Sequence, residues 1–379
     1  MSEPAWMTQI METFGMAEES SKRSSKRSSK RRSSKRSSKS RSESSITDDL
    51  PDISKFTEPM GRALISVWIF SGIVFAFLFI YTIQTVLNKV DESRDRKDRL
   101  STRDRTLIMG KALRRSMAIA VIDLNPFWNV TVHTEMPLEK LPPAVIFMSN
   151  HLSFIDAFVL SAAQRPVESK YVAKGDLWDI PIAGKTLGFS GDMAVHFVKD
   201  KKLNRWRTAD GNLEQLMEQA RDYLEMDVSL TVFPEGSISK TGELKPFKKG
   251  FFKLAEECNV PIVPVAMWGN QNGWPSTFSD SKSNGSLLLN KAEIHVSFGE
   301  PIESDGRPTE EFMMEVYKAI ESLRNNLPNF DLPPELAVIE PNFENALVLN
   351  TEELKDDVNT KASKHRGDDD SDDDEDDDE

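Results

Sequence analysis

The sequence predicts an α/β domain built on a largely parallel sheet, preceded by one long apolar helix and flanked by disordered tails. Three observations carry this. Short apolar runs of strand length, at 144–149, 169–173, 192–198, 228–233, 262–268 and 292–298, are separated by longer segments, several with helical periodicity. Ala63 to Leu87 is twenty-five residues without a charge, more than the roughly 20 that cross a bilayer as a helix. Residues 21–42 are almost entirely Ser, Lys and Arg, and Asp368–Glu379 is acidic apart from Ser371. Neither tail has the apolar side chains that would offset its ordering entropy.

Taken in order, residues 1–59 read as a disordered basic arm. Its repeat carries eleven basic residues, matched by eleven acidic ones at the carboxyl end, so the net charge of −13 belongs to the middle of the chain. An acidic body argues against general nucleic-acid binding. Glu3, Glu12, Glu18 and Glu19 weaken the reading of the arm as an organelle transit peptide.

Residues 60–88 read as a transmembrane helix, apolar on every side, between Arg62 and Lys89. Trp68 and Tyr81 lie toward its ends, as an interfacial belt places them. It starts too late for a secretory signal. Lys55 and Arg62 precede the span, whereas Lys89, Arg94, Arg96, Lys97, Arg99, Arg103 and Arg105 follow it. That imbalance favours a cytosolic carboxyl-terminal side, although the basic repeat upstream pulls the other way.

The domain itself is expected over 89–328. Leu107–Met109, Ala112–Leu113 and Met117–Val121 suggest amphipathic helical turns with Arg114 and Arg115 on the polar side. They would rest either in the headgroup layer or on the domain core. Trp206, Ala209, Leu213, Leu216, Ala220 and Tyr223 recur at helical spacing, a core-facing stripe. Pro308 to Asn326 reads as a further helix, and 329–379 as an extended tail ending in the acidic run.

Chemistry concentrates where one strand ends. The run Ala144–Met148 leads into Asn150-His151-Leu152-Ser153-Phe154-Ile155-Asp156, at the carboxyl end where open α/β sheets present their sites. A neutral imidazole can take a proton from a hydroxyl. A carboxylate on its other nitrogen fixes the tautomer and stabilises the imidazolium. Ser153 to Asp156 also fits a helix-start capping box, in which Asp156 serves backbone donors alone and His151 is an ordinary loop residue.

Further blocks follow: Val228–Phe233 running into Pro234-Glu235-Gly236-Ser237, then Lys245-Pro246-Phe247-Lys248-Lys249-Gly250, then Val260-Pro261-Ile262-Val263-Pro264-Val265. In order and spacing, over roughly residues 100 to 305, these blocks resemble the glycerolipid acyltransferases, closest to the 1-acylglycerol-3-phosphate (lysophosphatidic acid) acyltransferases. Those proteins carry N-H-x-x-x-x-D, G-x-x-x-V-x-R, F-P-E-G-T-R and V-P-[IV]-x-P. The chain departs from the pattern twice: Phe197 and Ile238 stand where the family has arginines, while Ser237 keeps the hydroxyl of the family threonine.

The resemblance implies an acyltransferase-type fold and a direct transfer without an acyl-enzyme. His151 would be the general base, oriented by Asp156, and Glu235, Gly236 and Ser237 would shape the acceptor pocket. The donor would be acyl-CoA, a co-substrate with no bound cofactor. The acceptor would be a lysophospholipid, 1-acyl-sn-glycerol 3-phosphate, and the product phosphatidic acid. The family uses its arginines on the acceptor's phosphate, and guanidinium grips phosphate in a fork that phenylalanine and isoleucine cannot imitate. Lys199, Lys201 and Lys202, and Lys245, Lys248 and Lys249, are the local substitutes, with Lys249 and Lys199 singled out. A lysophospholipid bearing a head group is the competing acceptor. A membrane-tethered protein whose basic repeat binds anionic lipid or RNA is the non-enzymatic alternative, and it has no need of a His151–Asp156 pair.

The implied address is the endoplasmic reticulum membrane, with a cytosolic catalytic domain. Cys258, the only cysteine, reads as a core filler. His133, His196, His295 and His365 sit in no motif, and no metal-ligand spacing appears.

Overall fold

The computed structural model describes residues 54–134, 137–200, 205–239, 241–274 and 289–331. The basic repeat, Lys201, Lys202 and the acidic tail lie outside the described residues. The chain divides into two compact units, Met1–Leu64 and Ile65–Glu379. Of the first, residues 54–64 are described, and they are helical.

That helix, α1, runs Ser54–Glu92. Within the second unit Ile65, Ile69, Ala76, Ile80 and Gln84 are buried, while Val67, Trp68, Val74, Phe75 and Phe79 are exposed. A helix apolar on every side needs an apolar environment on every side. Here the protein covers 28% of the apolar stretch and leaves the rest exposed, as a membrane-spanning helix packed along one side would be. Polar contacts fix the inner face: Gln84 Nε2 donates to Met109 O at 3.1 Å and to Ser190 Oγ at 2.8 Å, and Ser66 Oγ accepts from Leu289 N at 2.8 Å.

Next, α2 (Thr102–Met117) begins at Ser101, whose hydroxyl accepts from Asp104 N, an ordinary helix cap. It continues into a wider, π-type turn, Ala118–Asp123. Met109, Leu113 and Met117 are buried, so this helix packs on the domain core. Arg115 is exposed as expected, but Arg114 is not on the polar side. It pairs with Asp192 and lies 3.9 Å over the Tyr171 ring. Beside it, the buried Lys170 Nζ meets Glu168 Oε1 at 2.8 Å and Thr106 O at 2.9 Å. Removing one partner of such a buried pair is costly, because the other charge stays behind without compensation.

The remaining elements follow in chain order: β1 Trp128–Thr134, β2 Ile146–Ser149, α3 Asp156–Ala163, β3 Ser169–Lys174, α4 Ala183–Ser190, β4 Met193–Val195, β5 Phe197–Asp200, β6 Arg205–Thr208, α5 Asn212–Glu225, β7 Ser229–Val232, α6 Gly250–Cys258, β8 Ile262–Trp268, α7 Asn270–Gly273, β9 Ala292–Phe298 and α8 Thr309–Asn325. The main sheet has the order β1-β9-β8-β2-β7-β3-β4. Every pairing in it is parallel except β8 with β9. The α/β fold with a largely parallel sheet is therefore as the sequence predicts.

Alternate strand residues serve opposite faces. Ile146, Met148, Leu230 and Val232 join Leu216, Phe252, Phe312 and Val316 from α5, α6 and α8. Val145, Phe147, Val263 and Val265 join Ile69, Leu113 and Val159 from α1, α2 and α3. Cys258 is partly buried against the first of these clusters.

Two expectations are corrected here. The run 192–198 splits, because the His196 N–H goes to Asn212 Oδ1 and its carbonyl accepts from Ala209 N. So β4 joins the main sheet, whereas Phe197 opens a separate antiparallel ribbon of β5 and β6. The stripe from Trp206 is helical only from Asn212: Trp206 lies on β6, and Leu213 is 52% exposed. Leu216, Ala220 and Tyr223 are buried as expected. Gly211, at φ +73, marks the break.

Candidate active site

Three adjacent parallel strands, β8, β2 and β7, end side by side, and each delivers residues to one place. From the central strand β2 come Asn150 and His151. Asn150 is fully buried and clasps the neighbouring strand: its Nδ2 donates to Met267 O at 2.9 Å and its Oδ1 accepts from Met267 N at 2.7 Å. The His151 backbone is held on both sides. Its N–H donates to Glu235 Oε1 at 3.0 Å, and its carbonyl accepts from Ser239 N at 2.7 Å.

The imidazole then has one orientation available. His151 Nδ1 lies 2.8 Å from Asp156 Oδ2, and Phe233 stacks on the ring at 4.1 Å between centroids and 17° between planes. Asp156 is completely buried at the start of α3. Its Oδ2 also accepts from Leu152 N at 2.7 Å and Ser153 N at 3.0 Å, and its Oδ1 from Asn270 Nδ2 at 2.8 Å. An acceptor surrounded by donors is ionised, so Nδ1 carries the proton and Nε2 carries a lone pair. Asp156 thus serves two backbone donors, as the capping reading expects, but not those alone, because the imidazole shares the same oxygen. The His151 side chain is 20% exposed, which leaves Nε2 an approach for a hydroxyl.

Glu235 follows β7 and is 3% exposed. Its second oxygen, Oε2, accepts from Lys245 N at 3.1 Å. Both oxygens hold backbone, which makes this side chain a brace between the His151 loop and the Lys245 loop. Burial pushes its carboxyl up to about 8, against the pull of the N–H bonds from His151 and Lys245. Gly236 turns the chain at φ +70 and Ser237 is exposed. The positive φ is what requires glycine, since a Cβ there would meet nothing closer than Lys248 Cγ at 3.9 Å.

Lys249 Nζ is paired with Glu310 Oε1 at 2.6 Å, so its charge is engaged by α8. Lys199 lies on β5, opposite Trp206, in the separate ribbon; its side chain is outside the described residues. Instead, Lys245 Nζ contacts Ser237 Oγ, and the stem of Lys248 lies beside Gly236 while its N–H donates to Pro234 O at 2.8 Å. Phe197 and Ile238 are both partly buried.

Two features carried no sequence signal. Asn270, on the turn after β8, reaches Asp156 from below. An aromatic row also leaves the site. Phe154, 63% exposed, packs on Trp274 at 5.5 Å, and Trp274 packs on Phe70 of α1 at 5.3 Å. Trp274 is anchored by Ser153 Oγ, which donates to its carbonyl at 2.9 Å. The row joins the loop that bears His151 to the long apolar helix.

Residues 129–268 match a family model described as Acyltransferase. A protein of Saccharomyces cerevisiae named 1-acyl-sn-glycerol-3-phosphate acyltransferase is 35% identical over 141 residues, 37% of this chain and 43% of its own length. The human 1-acyl-sn-glycerol-3-phosphate acyltransferase alpha is 34% identical over 133 residues, 35% of this chain and 44% of its own. The chain spans about half the length of the curated relatives it matches. Among solved structures, the 1-acyl-sn-glycerophosphate (LPA) acyltransferase PlsC from Thermotoga maritima aligns with TM-score 0.50 and 19% identity, over 72% of this chain and 98% of that one. It shares the fold.

Proposed function

We propose that this protein, whose residues 129–268 match the Acyltransferase family model, transfers a fatty acyl group from acyl-CoA to the free hydroxyl of 1-acyl-sn-glycerol 3-phosphate, giving phosphatidic acid for phospholipid and triacylglycerol synthesis. The observation that carries the proposal is the His151–Asp156 pair, with Nδ1 engaged at 2.8 Å and Nε2 left to act as a base. His151 Nε2 takes the hydroxyl proton as the acceptor oxygen bonds to the thioester carbonyl carbon. The carbon–sulfur bond then breaks, and the coenzyme A thiolate leaves with the proton that the imidazolium returns. Asp156 stabilises the imidazolium throughout, and no resident cofactor is needed.

Phosphate recognition falls to Lys245 and Lys248 at the Pro234–Ser237 turn, with Lys249 held by Glu310. The partly buried Phe197 and Ile238 favour a second reading, in which the acceptor carries a head group over its phosphate. Purified protein assayed with an acyl-CoA and a panel of lysolipids separates the two. The first reading expects lysophosphatidate as the best acceptor. It also expects the double change Lys245→Ala with Lys248→Ala to raise its KM about tenfold or more, since charged hydrogen bonds are involved. A clear preference for choline- or ethanolamine-bearing lysolipids overturns it. Transfer to none of them leaves the membrane-tethered interaction protein as the surviving alternative.

The proposed address is a membrane, the endoplasmic reticulum, with the domain in the cytosol and anionic lipids as partners of the basic repeat. Support comes from α1, which is long and apolar enough to cross a bilayer, and from its exposed outer stripe. Deleting residues 63–87 would remove part of the domain core, because Ile65, Ile69, Ala76 and Ile80 are packed within it. The outer stripe is the better probe. Phe75 and Phe79 are 66% and 42% exposed and stack on each other. Each aspartate at the centre of a membrane helix costs about 2.5–3.5 kcal/mol. Full-length protein should therefore resist alkaline carbonate, and Phe75→Asp with Phe79→Asp should release much of it. Carbonate release of the unaltered chain overturns the membrane address.

A further inference from the structure

We propose that Asn270 is a positioning residue for the His151–Asp156 pair, holding the Asp156 carboxylate in register and setting how strongly it attracts the imidazole proton. The inference rests on the catalytic reading above and extends it to a third strand end. Asn270 Nδ2 donates to Asp156 Oδ1 at 2.8 Å, the oxygen that His151 and the backbone N–H groups of Leu152 and Ser153 leave open. A carboxylate only accepts, so the amide must present its nitrogen there, and the assignment of that side chain is unambiguous.

The rest of the residue's surroundings make little sense for stability alone. Asn270 is completely buried, and its Oδ1 has no hydrogen-bond partner among the described residues. An unsatisfied buried acceptor is costly, and a residue kept only for packing would shed it. The turn that presents Asn270 is equally specific. Gly269 sits at φ +95, where a Cβ would lie 2.0 Å from the Glu293 carbonyl oxygen. Glycine alone makes this turn, and it sends the chain from β8 directly under Asp156. Asn150, one residue before His151, ties the same stretch of β8 to β2 through both of its hydrogen bonds with Met267. The base and its positioning residue are therefore fixed to the same pair of adjacent strands.

Each N–H donated to Asp156 lowers its attraction for the proton on His151 Nδ1. Taking away the amide donor should strengthen that attraction and raise the proton affinity of the imidazole. A second carboxyl in the same place, buried and 2.8 Å from Asp156, cannot ionise beside it; the pair keeps one shared proton, and its O–H takes the place of the amide donor. The other ionisable groups packed about His151 are Glu235, beneath its backbone N–H, and Lys245 beyond it. Neither is changed by these substitutions.

The experiment compares wild type, Asn270→Ala and Asn270→Asp in the full-length protein, by pH–rate profile and by NMR titration of the His151 imidazole, assigned from a His151→Gln spectrum. Asn270→Ala should lower kcat about tenfold or more, with KM for both substrates little changed. The acid limb of the profile and the imidazole titration should move together to higher pH for alanine and stay near wild type for aspartate, whose shared proton keeps a donor on Asp156. Asn270→Asp is isosteric with the native side chain and covers the case in which the alanine variant folds poorly. Equal losses in Ala and Asp with an unmoved imidazole titration overturn the proposal, even where wild-type transfer is robust. The NMR order holding in a protein that transfers no acyl group would instead overturn the enzymatic reading and leave the coupling of Asn270 to His151 standing.

Discussion

Replacing His151 by alanine should lower acyl transfer by about 10²–10⁴-fold, the usual worth of a general base, while the protein keeps its fold and its membrane association. The fold survives because the structure holds this residue by its backbone. The N–H stays on Glu235 and the carbonyl on Ser239 N whatever the side chain is. What is lost is the ring, the stack on Phe233 and one donor to Asp156. Leu152 N, Ser153 N and Asn270 Nδ2 still satisfy that carboxylate. Thermal melting and turnover of the purified variant test both halves, and wild-type turnover would end the assignment. Asp156→Asn behaves differently. An amide in that position must turn its NH₂ toward Asn270 or toward three N–H donors, so it loses stability as well as the tautomer. A larger drop in melting temperature for Asp156→Asn than for His151→Ala is the expected signature.

The sequence made the centre of the fold legible and its edges much less so. Ile146–Ser149 is buried on both faces, so it shows as an unbroken apolar run. β1, Trp128–Thr134, is an edge strand with mostly exposed or half-exposed residues; its apolar and polar side chains alternate, a signal that a search for continuous apolar runs passes over. Continuous hydrophobicity predicted one strand over 192–198, whereas the backbone partners of His196 divide it. The His151–Asp156 pair is legible because five residues of chain suffice to bring the two together. The pairing of Lys249 with Glu310 of α8 is not legible in the same way, because a partner far along the chain is recorded by no local motif. Asn270 is hidden for the same reason. Its meaning depends on β8 lying next to β2, which only the sheet order supplies.

Glu235→Gln should destabilise the protein by about 1–3 kcal/mol at low pH, with the difference closing and then reversing as pH rises from about 4.5 to about 8. Glutamate offers two acceptor oxygens to His151 N and Lys245 N, and glutamine offers one. A buried N–H without a partner costs about 1–3 kcal/mol. The pH dependence comes from wild type. Burial raises the Glu235 carboxyl from its ordinary 4.5 to about 8 in the folded chain, so the folded state keeps a proton that the unfolded state releases. That contribution to stability is fully present below about 4.5 and is lost as pH rises through about 8. Across this window each pH unit is worth at most about 1.4 kcal/mol. Glutamine does not titrate, and the remaining groups cancel between the two proteins. The gap between their unfolding curves at pH 5, 7 and 9 therefore reports Glu235 alone. The resemblance to glycerolipid acyltransferases places the same residue in the acceptor pocket, which makes a different claim: a raised KM for the acceptor and a stability gap independent of pH. A side chain whose two oxygens are both spent on backbone, with 3% of its surface exposed, should instead lower kcat by loosening the loop that carries His151. A constant gap accompanied by a KM effect would return Glu235 to the substrate.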